Sequence, residues 1–257
     1  MRRAPLRRFM TGERCITLYR ALAGFGLADA SEEGLVVQLP RQPRAVIFDM
    51  DGLLIDTIPA YAAAMVEASL DVGHPVSKEF VLSLAGLLGA ELEARLMADL
   101  GSGFPVAAYL TAMAARLEPR LAAGVPPKDG ATELLQALSR RGMPLAVATS
   151  MKRSEAMHHL ERHGIGHFLL HVAGRDEVAR GKPHPDLHLE AALRLAVAPR
   201  DCVVLEDSFN GVRAAHAAGA MTIMVPDAVA PSDEIRGFCV GVVSSLHGVK
   251  DILCANP

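Results

Sequence analysis

The chain has 257 residues, 51% of them hydrophobic and 21% charged, and its 26 basic and 29 acidic side chains leave a net charge of −3. That much apolar material excludes a disordered chain, and the slight acidity excludes a strongly basic nucleic-acid binder. No apolar run reaches the ~18 residues of a membrane span, so neither nucleic acid nor membrane is an expected partner.

Residues 1–40 carry six Arg against four acids, a local charge of +2 that leaves −5 for the remainder. This Arg-rich start lacks the apolar core of a secretory signal and reads as a loosely attached extension, with Met10 a second candidate start. Cys15, Cys202, Cys239 and Cys254 show no CxxC spacing. They read as free thiols in a reducing, cytoplasmic setting.

Pro40 and Pro43 mark a boundary, and Arg44–Asp49 then reads as a short buried strand with β-branched residues. From Pro59 to Ala123 the apolar residues recur at helical spacing, as in Leu110, Met113, Leu117 and Leu121. After Gly124-Val125-Pro126-Pro127 the pattern changes. A helix through Leu134, Leu135 and Leu138 leads into a strand over Pro144–Thr149, then a helix over 153–163. A strand over Phe168–Val172 and a helix over Pro185–Ala196 follow. Next come a strand over Cys202–Leu205, a helix over Gly211–Ala218 and a strand over Met221–Val225. Val242-Val243 and Leu246–Leu253 are a last edge strand and helix.

Alternating strands and helices with near-continuous apolar strands indicate an α/β fold. Its core is a Rossmann-like, doubly wound parallel sheet with an inserted α-helical cap. The expected layout is an extension at 1–40, a core at 41–57 and 125–257, and a cap at 58–124. A monomer is expected.

Ligands in open parallel sheets sit at the carboxyl ends of the strands. Those ends carry Asp49 and Asp51, Thr149 and Ser150, and Glu206 and Asp207, and a loop brings Lys182. Four carboxylates cannot share a crevice without compensation, because like charges raise each other's pKa. A hard divalent cation such as Mg²⁺ resolves the conflict and suits phosphate chemistry. A carboxylate can attack a phosphoryl group and form an aspartyl-phosphate. A second acid two residues on, as Asp51 is from Asp49, can protonate the leaving oxygen and then activate water. Lys182, Thr149 and Ser150 can offset charge on the phosphoryl oxygens.

Asp49-Met-Asp51-Gly52-Leu-Leu-Ile-Asp56-Thr57 resembles the first motif of the haloacid dehalogenase-like (HAD) hydrolases. Val147-Ala-Thr149-Ser150, Gly181-Lys182-Pro183 and Val204-Leu205-Glu206-Asp207-Ser208-Phe209-Asn210-Gly211 resemble the second, third and fourth. The helical insert is similar to the cap of the subgroup that holds β-phosphoglucomutase and many small-molecule phosphatases. The resemblance implies Asp49 as nucleophile and Mg²⁺ ligand, and Asp51 as general acid/base giving its backbone carbonyl to the metal. It implies Thr149, Ser150 and Lys182 at the phosphate, and Asp207 and Glu206 completing the metal site. The implied partner is a small phosphorylated metabolite, with a sugar phosphate as the leading class.

The departures narrow this. Gly86-Leu87-Leu88-Gly89-Ala90 holds no charge where relatives of the mutase type place a basic residue. Relatives' His near position 61 and Glu near position 58 are missing too, which favours hydrolysis over mutase action. Asp51 argues against dehalogenation, since true dehalogenases lack that second acid. His158, His159, His163, His167 and His171 resemble a metal cluster at first sight, but without supporting Cys or Glu they read as solvated or capping groups. A phosphosugar mutase and a non-catalytic binding domain remain the alternatives.

Overall fold

The computed structural model describes residues 37, 39–84, 87, 89–227 and 229–255. The expected extension at 1–40 therefore lies almost entirely outside the described residues.

Six parallel strands form one sheet in the order β3-β2-β1-β4-β5-β6. They are β1 (Ala45–Phe48), β2 (Leu145–Ala148), β3 (His171–Ala173), β4 (Cys202–Glu206), β5 (Met221–Met224) and β6 (Gly241–Val242). The strand period of two sorts their side chains onto two faces. Val46, Phe48, Leu145, Val147, Val203 and Leu205 enter one apolar layer, which α5 (Ala131–Arg140), α6 (Arg153–Arg162) and α10 (Leu246–Cys254) cover. Ala45, Ile47, Ala146, Ala148 and Val204 enter the other, beneath α7 (Asp186–Arg194) and α8 (Phe209–Ala217). This second layer is built largely of alanine, so its helices approach the sheet closely.

Between β1 and β2 lie α1 (Ile58–Asp71), α2 (Lys78–Leu82), α3 (Gly89–Leu100) and α4 (Val106–Ala123). They enclose a separate apolar cluster that includes Met65, Val81, Leu84, Leu92, Leu96, Phe104 and Tyr109. Arg116 of α4 reaches Glu67 at 2.8 Å and Asp71 at 2.6 Å on α1, and Arg120 reaches Glu67 at 2.6 Å. The two chain crossings into this unit are clipped together. Ile55 bridges Pro127 in antiparallel fashion, Asp56 N–H donates to Pro126 O at 3.0 Å, and Lys128 N–H donates to Leu54 O at 2.9 Å. Lys128 Nζ then ties Asp56 (3.5 Å) to Asp227 (2.6 Å).

Several expected boundaries shift. Phe168 lies in a 3₁₀ turn over Gly166–Phe168, closed by its own N–H on Ile165 O at 3.2 Å, and β3 starts only at His171. The helix expected from Gly211 starts at Phe209, because the Ser208 hydroxyl caps it by accepting from Gly211 N–H at 3.1 Å. α9 (Asp233–Phe238), with Ser232 as its N-cap, was not expected at all. No described helix is long and apolar enough to cross a membrane.

Candidate active site

β1 and β4 are neighbours, with Phe48 opposite Leu205, so their carboxyl ends emerge side by side. Asp49 N–H closes this junction by donating to Leu205 O at 3.0 Å. Asp49 and Glu206 thus leave adjacent strands at the same height, and Asp207 follows. Carboxylate oxygens of Asp49, Glu206 and Asp207 all lie within 4.8 Å of one another. The Asp51 carboxylate is not in that group.

Lys182 answers part of this charge. Its side chain is 4% exposed, and Nζ bonds Asp49 Oδ1 and lies 2.7 Å from Glu206 Oε1. The loop that carries it is pinned at Arg180, which bonds Asp186 at 2.8 Å. On the far side of Glu206, His188 Nε2 sits 3.0 Å from Oε1. Burial holds His188 below the ordinary imidazole range, so the neutral ring donates this bond. Sequence reading gave His188 no role. It stands one helical turn beyond His184, and nothing in the spacing tells which of the two faces inward.

The electrostatics are those of an undercompensated anion site. Burial, together with Glu206 and Asp51, pushes the Asp49 carboxyl above its usual range against the pull of Lys182. Burial raises Asp51 to about 6, again against Lys182. Asp207 is raised by burial and by the charges of Asp49 and Glu206. Burial also works on Glu206, yet Lys182 and His188 outweigh it and hold this acid low. Glu206 Oε2 remains buried without a hydrogen-bond partner. Three clustered carboxylates against one ammonium, with an orphaned oxygen among them, fit a hard divalent cation held by oxygen ligands.

Two glycines make the close approach possible. Gly52 has φ +89°, and a Cβ there would overlap the Asp207 carboxylate. A Cβ on Gly211 would overlap the Glu206 carboxylate in the same way. Both carboxylates fold back against bare backbone.

Above the acids opens a cavity of about 590 Å³, within the range of small-ligand sites. Asp49, Asp51, Ser150 and Asp207 face it from the core. Glu206 and Lys182 stand behind Asp49 and do not line it. Thr149 is fully buried, and its hydroxyl accepts from Met151 N–H at 3.0 Å, which shapes the turn that carries Ser150. Asn210, within the fourth motif, crosses to the cap and donates through Nδ2 to Glu91 Oε2 of α3 at 2.8 Å. This cap–core contact had no counterpart in the sequence reading, because the partners are 119 positions apart.

The profile of the haloacid dehalogenase-like hydrolases matches residues 46–225. The chain belongs to that family. This hydrolase is 31% identical over 212 residues to the phosphorylated carbohydrates phosphatase of Thermotoga maritima, covering 82% of this chain and 91% of the relative. A 98-residue stretch is 43% identical to the bifunctional riboflavin kinase/FMN phosphatase of Arabidopsis thaliana, which is 38% of this chain and only 26% of that protein. Among solved structures, a HAD family hydrolase from Deinococcus radiodurans R1 with bound phosphate and sodium superposes with a TM-score of 0.70 at 27% identity. That match covers 83% of this chain and 96% of the other. Among the described residues, the histidines of α6 and the turn after it are not in the acidic group of Asp49, Glu206 and Asp207.

Proposed function

We propose that this hydrolase is a Mg²⁺-dependent phosphatase that cleaves a small phosphomonoester through an aspartyl-phosphate. The observation that carries the reading is the Asp49–Glu206–Asp207 cluster, its first two acids buried, with Lys182 bonded to Asp49 and Glu206 and with Asp51 lining the cavity. The names of the carbohydrate and FMN phosphatase relatives support the substrate class, as does the phosphate in the Deinococcus structure.

An Asp49 carboxylate oxygen forms the new bond to phosphorus as the bond to the ester oxygen breaks. The Asp51 carboxyl, which burial raises to about 6, gives a proton to the leaving oxygen in its protonated form. It then takes one from water, which attacks phosphorus and returns Asp49 as a carboxylate with release of inorganic phosphate. Ser150, with its neighbouring backbone N–H groups, and the buried ammonium of Lys182 offset charge on the phosphoryl oxygens, with Thr149 setting the turn. Asp49, Asp207 and Glu206, with the Asp51 carbonyl, would hold Mg²⁺, which when bound neutralises phosphoryl charge. The cap closes over the cavity through Glu91 and Asn210 and limits access of water.

Among the described cap residues that line the cavity no cation is present, which leaves no positive charge on the cap to grip a second phosphate and speaks against mutase action. Cys202, Cys239 and Cys254 are free, which supports a reducing, cytoplasmic location. We also infer a monomer that acts without nucleic acid or membrane. Phosphate release from a panel of phosphate esters, with Mg²⁺ and with a chelator, tests the central reading. Mg²⁺-dependent release upholds it, and a folded protein that releases none overturns it.

A further inference from the structure

The cavity has two unlike halves. The core half supplies the acids, Ser150, Ser208 and Asn210, and Lys152, Glu155 and Arg175 complete it. The cap half is made of Met65, Leu84, Leu92, Met113 and other aliphatic side chains, and Tyr61 is the one polar side chain among its described residues. Val81, Leu84 and Leu92 belong to the buried cluster of the cap, so this wall is the rim of a packed core and cannot turn polar groups inward.

A phosphate seated on the Asp49 side places the alcohol part of the ester against that wall. A polyhydroxylated alcohol there would give up its water partners and, apart from the single Tyr61 hydroxyl, gain none across the aliphatic surface. An apolar alcohol would exchange water for close aliphatic contact, which is favourable in proportion to the area covered. The volume, about 590 Å³, leaves room for a body well beyond a three-carbon chain.

We infer that the substrate is the monophosphate of an apolar alcohol, with an aliphatic or aromatic body that fills the cap half of the cavity. This rests on the phosphatase reading above and refines its substrate class away from sugar phosphates. Lys152, Glu155 and Arg175 belong to the core side of the cavity and contribute nothing to the cap wall.

The test is a series of ethyl, butyl and hexyl phosphate beside glucose 6-phosphate, all esters of primary alcohols with similar leaving groups. With the full-length protein and Mg²⁺, kcat/KM is expected to rise two- to fourfold per added methylene, about the factor for burying one CH₂. Hexyl phosphate should exceed glucose 6-phosphate at least tenfold. A flat series, or glucose 6-phosphate above hexyl phosphate, overturns the inference while leaving the phosphatase reading intact. Met113→Gln keeps side-chain length at a half-buried wall position and should lower the hexyl-to-ethyl ratio several-fold. Calorimetric binding of the same esters to Asp49→Asn separates the two readings. Tighter binding of hexyl than of ethyl phosphate supports the apolar pocket even if no ester is hydrolysed. Equal binding overturns it.

Discussion

Asn210 of the core, which lines the cavity, donates through Nδ2 to the Glu91 carboxylate of the cap at 2.8 Å. Glu91 is exposed, so the bond is made at the rim, where a single charge-assisted bond contributes modestly. Glu91→Ala should therefore raise KM about two- to fivefold, and kcat should hold or rise if opening limits turnover. Steady-state kinetics with the best substrate of the ester panel would show it. Unchanged KM would mean that the contact does not hold the cap closed.

Asp49→Asn should abolish turnover, by about 10⁴-fold or more if the carboxylate is the nucleophile. The side chains are isosteric, so the folded structure should survive, as circular dichroism would report. Mass spectrometry of wild-type protein quenched during turnover should find one phosphoryl group on the peptide holding Asp49. Near-normal activity in the variant would sink the covalent route.

The three clustered acids repel, and an ion that binds only the folded arrangement stabilises it by mass action. At a Mg²⁺ concentration about 100 times its Kd the gain is ~2.7 kcal/mol. For a chain of this size that raises Tm by about 5–10 °C over the chelated protein. Asp207→Asn should abolish most of the difference, and calorimetry with Mg²⁺ and with chelator reads it without reference to activity.

Gly211→Ala poses a question of sign. Helix propensity alone would make alanine about 1 kcal/mol more stable within α8. The added Cβ, however, would overlap the Glu206 carboxylate, which is itself fixed by Lys182 and His188. The overlap should dominate, with a loss of about 2–4 kcal/mol in urea unfolding. A gain in stability would mean that Glu206 is free to move.

His159 provides a stability change near neutral pH. Burial, with His158, His163 and Arg162 nearby, holds its pKa below the ordinary value of 6.5, against the pull of Glu155. Burial and Arg162 lower His163 as well. The unfolded chain thus takes up protons at a higher pH than the folded one. Stability from this pair is complete above the ordinary imidazole range and is lost as pH falls through the folded values. Tm should fall between pH 7 and pH 5.5, and the fall should shrink in His159→Gln. An identical pH profile in the variant would assign the loss to other groups.

The sheet and its site acids were legible for one reason. A parallel strand buried on both faces is a continuous apolar run, and the run stops where the chemistry begins, as Val-Ile-Phe gives way to Asp49. Boundaries set by single hydrogen bonds were harder to read. Phe168 has the composition of a strand, yet its N–H closes a 3₁₀ turn on Ile165 O. Ser208 draws α8 back by two residues, and a short polar stretch hid α9. In the site, His188 and the Glu91–Asn210 contact went unread because each depends on how distant elements face one another. No periodicity encodes that.

Asp56 and Pro126 are joined by one backbone hydrogen bond, and Ile55 and Pro127 by a bridge, so the chain enters and leaves the four-helix unit at nearly one point. To the sheet, everything between is a detour of no fixed length. A tight turn or a larger insertion could join the same two residues at small cost in chain entropy. The acids at the strand ends could thus stay in place while the surface above them is exchanged, and the choice of molecule becomes a property that can change without touching the reaction.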